Sequence, residues 1–384
     1  MGTRGPRGAA RGQPRRSAHH PSPAPRPQGD AEPRAPRGFA RARRPWAGRA
    51  APLRRCRRSA RASGAPGPLA YHRPVADGRR IEVERAQNLW ERNAGKMPAL
   101  QRAVALNAAP AVYSDQIGGL EQAQDEVLTY ACAMTAPEVY AHWGTYPPSG
   151  LLLIGPPGCG KKLLAEALAT RAGTGFLQVR VPRLAIEVVH FGGKVGELLE
   201  VWSGTLSEMP PLTVFFEELE FSQAAELGAP RADLPVGPIM DFLQELVDRA
   251  IHADHCLAVA STAHPATLRP AFVAPGRFER VVEVNPSFPA DVVKALEIHA
   301  AAAEKRAQRR LFEAVDWEHV VRQHREASIG DWIRLMHGAL RRKARCEAAA
   351  EPVGLVATPD LLAEVDRFKR ASVRLPRPAG GIYV

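Results

Sequence analysis

The stretch GPPGCGKKLLAEAL, residues 155–168, decides how the chain is read. It follows an apolar run at 151–154 without a gap and leads into residues spaced as a helix. Strand, glycine loop, helix is the context of a phosphate-binding loop, whose pattern is G-x-x-x-x-G-K-[ST]. Gly155, Gly158 and Gly160 allow backbone N–H groups to approach phosphate oxygens at a helix N-terminus, where the helix dipole also favours anions. Lys161 stands where the pattern places a lysine that reaches the β- and γ-phosphates. The last position departs: a hydroxyl normally holds the magnesium ion of the nucleotide there, and this chain has Lys162.

Further short apolar runs at 175–181, 211–216, 256–261 and 280–284 alternate with stretches of helical spacing. Unbroken apolar strands between helices predict a parallel sheet covered on both faces. This places a P-loop α/β domain at residues 114–285. Before it, residues 79–113 read as a helical lead-in of one or two helices. Ser114 or Asp115 is a candidate cap, and Gly118-Gly119 turns the chain into a helix expected to run to about residue 141. After Pro286 the strands stop. Segments 289–310, 317–325 and 328–346 carry helical periodicity and predict a small all-α lid at 286–350, followed by a C-terminal tail at 351–384.

The run TVFFEELE ends an apolar strand with adjacent carboxylates, Glu217 and Glu218. Adjacent acids are common at helix starts, but after a phosphate loop they match a pair in which the first serves the magnesium shell and the second activates water.

Together IGGLEQAQDEV, GPPGCGKK, VFFEEL and FVAPGRFERVVEV resemble, in order and spacing, the AAA branch of the AAA+ ATPases, over residues 114–346. The resemblance implies a three-layer α/β wedge with a helical lid, assembled as a ring, usually a hexamer, with ATP between subunits. It implies an ATPase that remodels or threads protein substrates. Carried over position by position, Gly155, Pro156, Pro157, Gly158, Cys159, Gly160, Lys161, Lys162 and Leu163 cradle the nucleotide phosphates. Ile117, Gly118 and Gly119 lie near the adenine, and Gly330 on the ribose side. Glu217 serves the metal through water, Glu218 polarises the attacking water, and Arg277 is a finger directed at a neighbouring subunit's γ-phosphate. His190, Phe191 and Gly192 take the place of the loop that grips polypeptide in the central pore; an ordinary exposed loop is the rival reading. Asp331 is expected to cap the helix after Gly330.

Four positions depart from the family pattern: Lys162 for the hydroxyl, Glu217 for an Asp, Ala263 for an Asn that orients water, and Ala274 for a second finger arginine. Thr262 and His264 are nearby stand-ins. An ammonium at 162 supplies positive charge beside phosphate through a charge-assisted hydrogen bond of roughly 1.5–3 kcal/mol, but does not bridge the phosphates as a metal does. The rival reading is therefore a degenerate AAA protein that binds nucleotide for assembly with little hydrolysis.

The net positive charge is confined to one end. Residues 1–70 carry 17 arginines, no lysine and two acids, whereas the remainder carries 35 basic and 38 acidic side chains. With 12 prolines and 9 glycines, the first 70 residues cannot bury enough apolar surface to offset the entropy of ordering. The basic tail, 1–78, fits a nucleic-acid arm, an anchor on anionic membrane, a transit peptide, or translated upstream sequence. Five scattered cysteines suggest neither a disulfide frame nor a zinc knuckle. His252, His255 and Cys256 lack an evident fourth ligand, and no H-E-x-x-H protease motif occurs. With no apolar run long enough to span a bilayer, the expectation is a cytoplasmic protein whose partners are copies of itself or related AAA subunits, its protein substrate unknown.

Overall fold

The computed structural model describes residues 76–190, 195–220 and 236–374. The basic tail up to residue 75 lies outside them. The chain begins with α1 (Ala76–Ala94), α2 (Pro98–Ala103) and β1 (Val104–Asn107). Three short helices follow: α3 (Glu121–Thr129), α4 (Cys132–Thr135) and α5 (Glu138–His142). Then come β2 (Gly150–Ile154), α6 (Lys161–Ala172), β3 (Gly175–Arg180), α7 (Val181–His190), α8 (Val195–Glu208) and β4 (Leu212–Glu217). The body ends with α9 (Val236–Ile251), β5 (Cys256–Thr262) and β6 (Arg280–Glu283); the lid holds α10 (Ala290–Ala307), α11 (Trp317–Arg322), α12 (Ile329–Ala348) and α13 (Thr358–Arg374).

The six strands run in the order β1-β3-β4-β5-β2-β6, all neighbours parallel except β1 with β3. The apolar runs are unbroken because both faces are covered. In β2, Leu152 enters one core with Trp202 and Leu243, while Leu151 and Leu153 enter the other with Leu164 and Leu168. In β4, Phe216 and Phe215 divide the same way. Each such side chain contributes about 1.5–3 kcal/mol on burial, which is why apolar residues dominate both faces of the central strands.

Four expectations are corrected. Residues 104–107 form an antiparallel edge strand rather than helix, and Met97, Leu100 and Val104 join the body's own core. The expected helix to residue 141 is three pieces, and neither Ser114 nor Asp115 caps it; α3 starts after Leu120, which takes a left-handed φ of 59°. Ser328, not Asp331, caps α12, with Asp331 completing a capping box. The lid does not end at 350: Leu361 and Val365 of α13 pack with Leu296, Val321, Trp332 and Met336, and Phe312 bridges to Val356.

Candidate nucleotide site

In a parallel sheet every strand exits at the same edge, and ligands bind outside those exits. Here β2 delivers the glycine loop and β4 delivers Glu217 and Glu218, with the exit of β5 between them. The loop is tied to that middle strand, Gly155 N–H donating to the Thr262 carbonyl at 3.3 Å. Glycine is demanded at two loop positions, where φ is 73° at Gly158 and 103° at Gly160. At Gly158 a Cβ would also stand 2.9 Å from Ser328 Oγ of the lid. The Gly158 carbonyl accepts from Gly330 N–H at 3.2 Å. Gly330, read from sequence as part of the site, thus lies against the phosphate loop.

The loop closes around Lys161, whose ammonium donates to the carbonyls of Gly155 at 2.7 Å and Pro156 at 2.9 Å and lies 3.9 Å from Cys159 Sγ. Cys159 is buried, and burial raises its thiol pKa against the opposing pull of Lys161. Pro156, Pro157 and Lys162 are exposed, while Leu163 is half-buried. Ile117, Gly118 and Gly119 are buried where the body meets the lid. A Cβ on Gly118 would lie 2.3 Å from Ala295 Cα, and Leu120 N–H donates to Asp291 at 3.1 Å. The turn therefore rests on the first turns of α10.

Glu217 accepts from Gln178 Nε2 at 2.6 Å. Glu218 takes a left-handed φ of 56°, a conformation costing of order 1–3 kcal/mol outside glycine. Desolvation, reinforced by Glu217 and Glu220, raises the pKa of Glu218, and Lys161 pulls it down. Like-charge crowding of this kind is a mark of functional sites. Glu220, not singled out from sequence, is buried and its Oε1 accepts the Ala263 N–H at 2.6 Å. Spacing from Glu218 is the only signal that would have found it. The β4 and β5 exits are also joined by Leu219 N–H on the Ser261 carbonyl at 3.0 Å.

The residues fit a nucleotide phosphate: glycines that a Cβ would displace, a lysine inside the loop and a helix N-terminus. They do not fit a magnesium ion bound in the usual way. Lys162 stands where the usual ligand is a hydroxyl and offers no lone pair, and no group of three or more His, Cys, Asp or Glu among the described residues is placed to hold a metal. His252 is occupied with the Asp248 carbonyl and His255 with that of Leu206, and burial pushes the Cys256 thiol up to about 12.

Arg277 lies at the other edge of the sheet. Arg280, three residues on, pairs beside Leu151 at the start of β2, and Glu279 accepts Ser149 N–H at 3.4 Å. Gly155 is four residues further along β2 from Leu151, about 13 Å at strand rise. Arg277 therefore does not reach the phosphate loop of its own chain. It is held by Asp248, with Nε at 2.5 Å from Oδ1 and Nη2 at 2.9 Å from Oδ2, and Nη1 donates to the Ala271 carbonyl at 2.6 Å. His190 closes helix α7 instead of lying in a loop, and Phe191 and Gly192 lie outside the described residues. No described helix is long and apolar enough to cross a membrane.

Residues 151–286 match the model of the ATPase family associated with various cellular activities, AAA. The chain is 30% identical over 203 residues to Protein SAV of Sulfolobus acidocaldarius, covering 53% of this chain and 25% of that protein. It is 30% identical over 208 residues to proteasome-activating nucleotidase 1 of Haloferax volcanii, covering 53% and 50%. It is 33% identical over 200 residues to the proteasome-activating nucleotidase of Thermococcus onnurineus, covering 50% and 48%. The chain thus spans half or less of the length of these relatives.

Proposed function

The chain carries an AAA domain, and from that premise we propose that it is an ATPase whose subunits assemble in a ring and use ATP to remodel protein substrates. The observation that carries this reading is the meeting of three strand exits at one edge, which sets the phosphate loop and Glu218 on either side of the β5 exit. Lys161 leaves the carbonyls of its own loop for the β- and γ-phosphates, while the N–H groups at the start of α6 hold the remaining oxygens. Glu218 takes the proton of the attacking water, and its raised pKa makes it a stronger base than an ordinary glutamate. Glu220 fixes the Ala263 backbone beside it. Arg277 serves the γ-phosphate of a second copy, because its place at the opposite edge bars it from its own. Two of the relatives are named proteasome-activating nucleotidases, and a proteasome as partner belongs to this proposal.

A second reading, nucleotide binding for assembly with little turnover, is favoured by Lys162 and Ala263, which remove a metal-binding hydroxyl and a water-orienting amide. One experiment separates the two: ATP turnover and ATP affinity of the wild type, Glu218→Gln and Lys162→Thr, with and without magnesium. Turnover in the wild type that falls roughly a hundredfold or more in Glu218→Gln, with affinity kept, is the expected result. A silent wild type that binds ATP, together with gain of turnover in Lys162→Thr, would establish the second reading instead.

A further inference from the structure

A cavity of about 610 Å³ opens in the lid between the end of α10, the second half of α12 and the stretch 351–356. None of the residues assigned to nucleotide lines it. Its size falls within the range of small-molecule sites, roughly 300–1,000 Å³. The chain ties the walls together. Glu304 accepts the N–H groups of Leu311 at 2.9 Å and Phe312 at 3.1 Å, which holds the turn after α10. Val356 N–H donates to the Leu311 carbonyl at 2.8 Å and Glu313 N–H to the Val356 carbonyl at 3.0 Å, so the stretch before α13 lies beside that turn. Leu311, Leu340 and Val356 give the cavity an apolar side.

The polar side is short of negative charge. Arg306, Arg309, Arg310 and Lys343 line it together with Glu347 and Glu351. Two of these cations are neutralised, Arg309 by Glu347 at 3.0 Å and Lys343 by Asp360 at 2.8 Å. Arg310 spends only Nε, on the Phe312 carbonyl at 2.9 Å, and keeps both terminal nitrogens. Arg306 makes no hydrogen bond or ion pair among the described residues. Glu351 is the one lining carboxylate left to balance these two guanidinium groups, and it is engaged by the Cys346 thiol. His337 stands in the same wall, with His299 near it. Both are held below the usual imidazole range, first by burial and then by positive neighbours that include Arg306.

We propose that this cavity binds a small organic anion, a phosphate, sulfonate or carboxylate group on an apolar body, with Arg306 and Arg310 on the anion and Leu311, Leu340 and Val356 against the body. Guanidinium groups take such anions through paired N–H bonds, and the apolar side takes what the anion is attached to. A nucleic-acid backbone asks instead for a basic stripe along a surface. The site is separate from the nucleotide site and does not depend on the ATPase reading.

The test uses full-length protein with ADP saturating the phosphate loop. The probe is anilinonaphthalene sulfonate, followed by its fluorescence, and neutral phenylnaphthylamine presents a similar body without the anion. A single equivalent of the sulfonate should bind wild type. Its Kd should rise roughly ten- to a hundredfold when Arg306→Gln and Arg310→Gln are combined, as loss of charge-assisted hydrogen bonds requires. The neutral compound should bind both proteins weakly and alike. Arg322→Gln, which removes a charge from an exposed pair on α11, should match wild type. If the combined variant melts early, the two single variants serve in its place, each with an intermediate Kd. Absence of sulfonate binding, equal Kd in wild type and in the cavity variants, or displacement of the probe by ADP overturns the inference.

Discussion

The two edges of the central sheet are built to different ends. At the strand-exit edge, the glycine loop, Lys161, Glu218 and Glu220 meet within one chain and are cross-linked by Gly155 to Thr262 and Ala263 to Glu220. At the opposite edge, Arg277 is anchored by Asp248 and the Ala271 carbonyl, away from the phosphate loop of its own chain. On the proposed function, the first edge is a site and the second is half of one. On that reading Arg277 is rigid and well placed, and is completed by a second copy.

The strongest way to break this comparison is Arg277→Ala. Loss of a finger arginine costs on the order of a thousandfold in kcat, whereas ATP affinity should hold, since the exit edge is untouched. Mixing Arg277→Ala with Glu218→Gln subunits sharpens the point. Each is inactive alone for a different reason, and assemblies pairing a sound exit edge with a sound Arg277 should recover activity. No recovery in mixed assemblies shown to co-purify would mean that Arg277 acts within its own chain or not at all.

The exit edge was largely legible in sequence; at the opposite edge Arg277 was legible by resemblance, and what holds it was not. Phosphate loops depend on consecutive residues, so Gly158, Gly160 and Lys161 announce themselves, and five of the six strands follow from short apolar runs, of which β2, β4 and β5 are buried on both faces. Residues 104–107 were hidden because a four-residue strand following helix-forming sequence exists only by pairing with β3. The tertiary contact overrides the local pattern. The lid's last helix reads as tail in sequence for a similar reason. Its Leu361 and Val365 show a helical stripe, but only the fold reveals what they bury against. Arg277 and Asp248 are 29 residues apart, on different elements, and no periodicity links them. Glu220 lay in plain sight two residues past Glu218; what it does depends on the Ala263 N–H, supplied by a different strand.

A smaller effect should distinguish the edges from the lid side. Ser328 caps α12, its Oγ accepting from Asp331 N–H at 3.1 Å, and the same hydroxyl lies where a side chain on Gly158 would go. Ser328→Ala should cost about 1 kcal/mol as a lost cap, a fall of roughly 2–4 °C in Tm. Because Gly330 N–H holds the phosphate loop from the adjoining position, ATP affinity should weaken too, with the Arg277 effect on kcat preserved. Weakened kcat with affinity intact would show instead that α12 reports to the opposite edge.

The smallest effect lies in the lid, away from both edges. His299 on α10 and His337 on α12 are each held below the usual imidazole range, first by desolvation and then by positive neighbours. For His299 these are His337 and Arg306; for His337, Arg306 and Arg341. Both histidines are therefore neutral in the folded lid at pH values where the unfolded chain begins to take up protons, near 6.5. Stability rises with pH wherever the unfolded state binds more protons, so this contribution is full above about 6.5 and is lost as the pH falls through the folded values. Thermal melts from pH 8 to 5 should show the lid weakening across that window, and His299→Gln with His337→Gln should flatten the dependence relative to wild type. An unaltered profile in the double variant would place the pH sensitivity elsewhere. If ATP affinity at pH 8 is the same in both proteins, the α10–α12 contact is separate from the turn that α10 offers to Gly118 and Gly119, and the lid serves the exit edge only through its two helix N-termini.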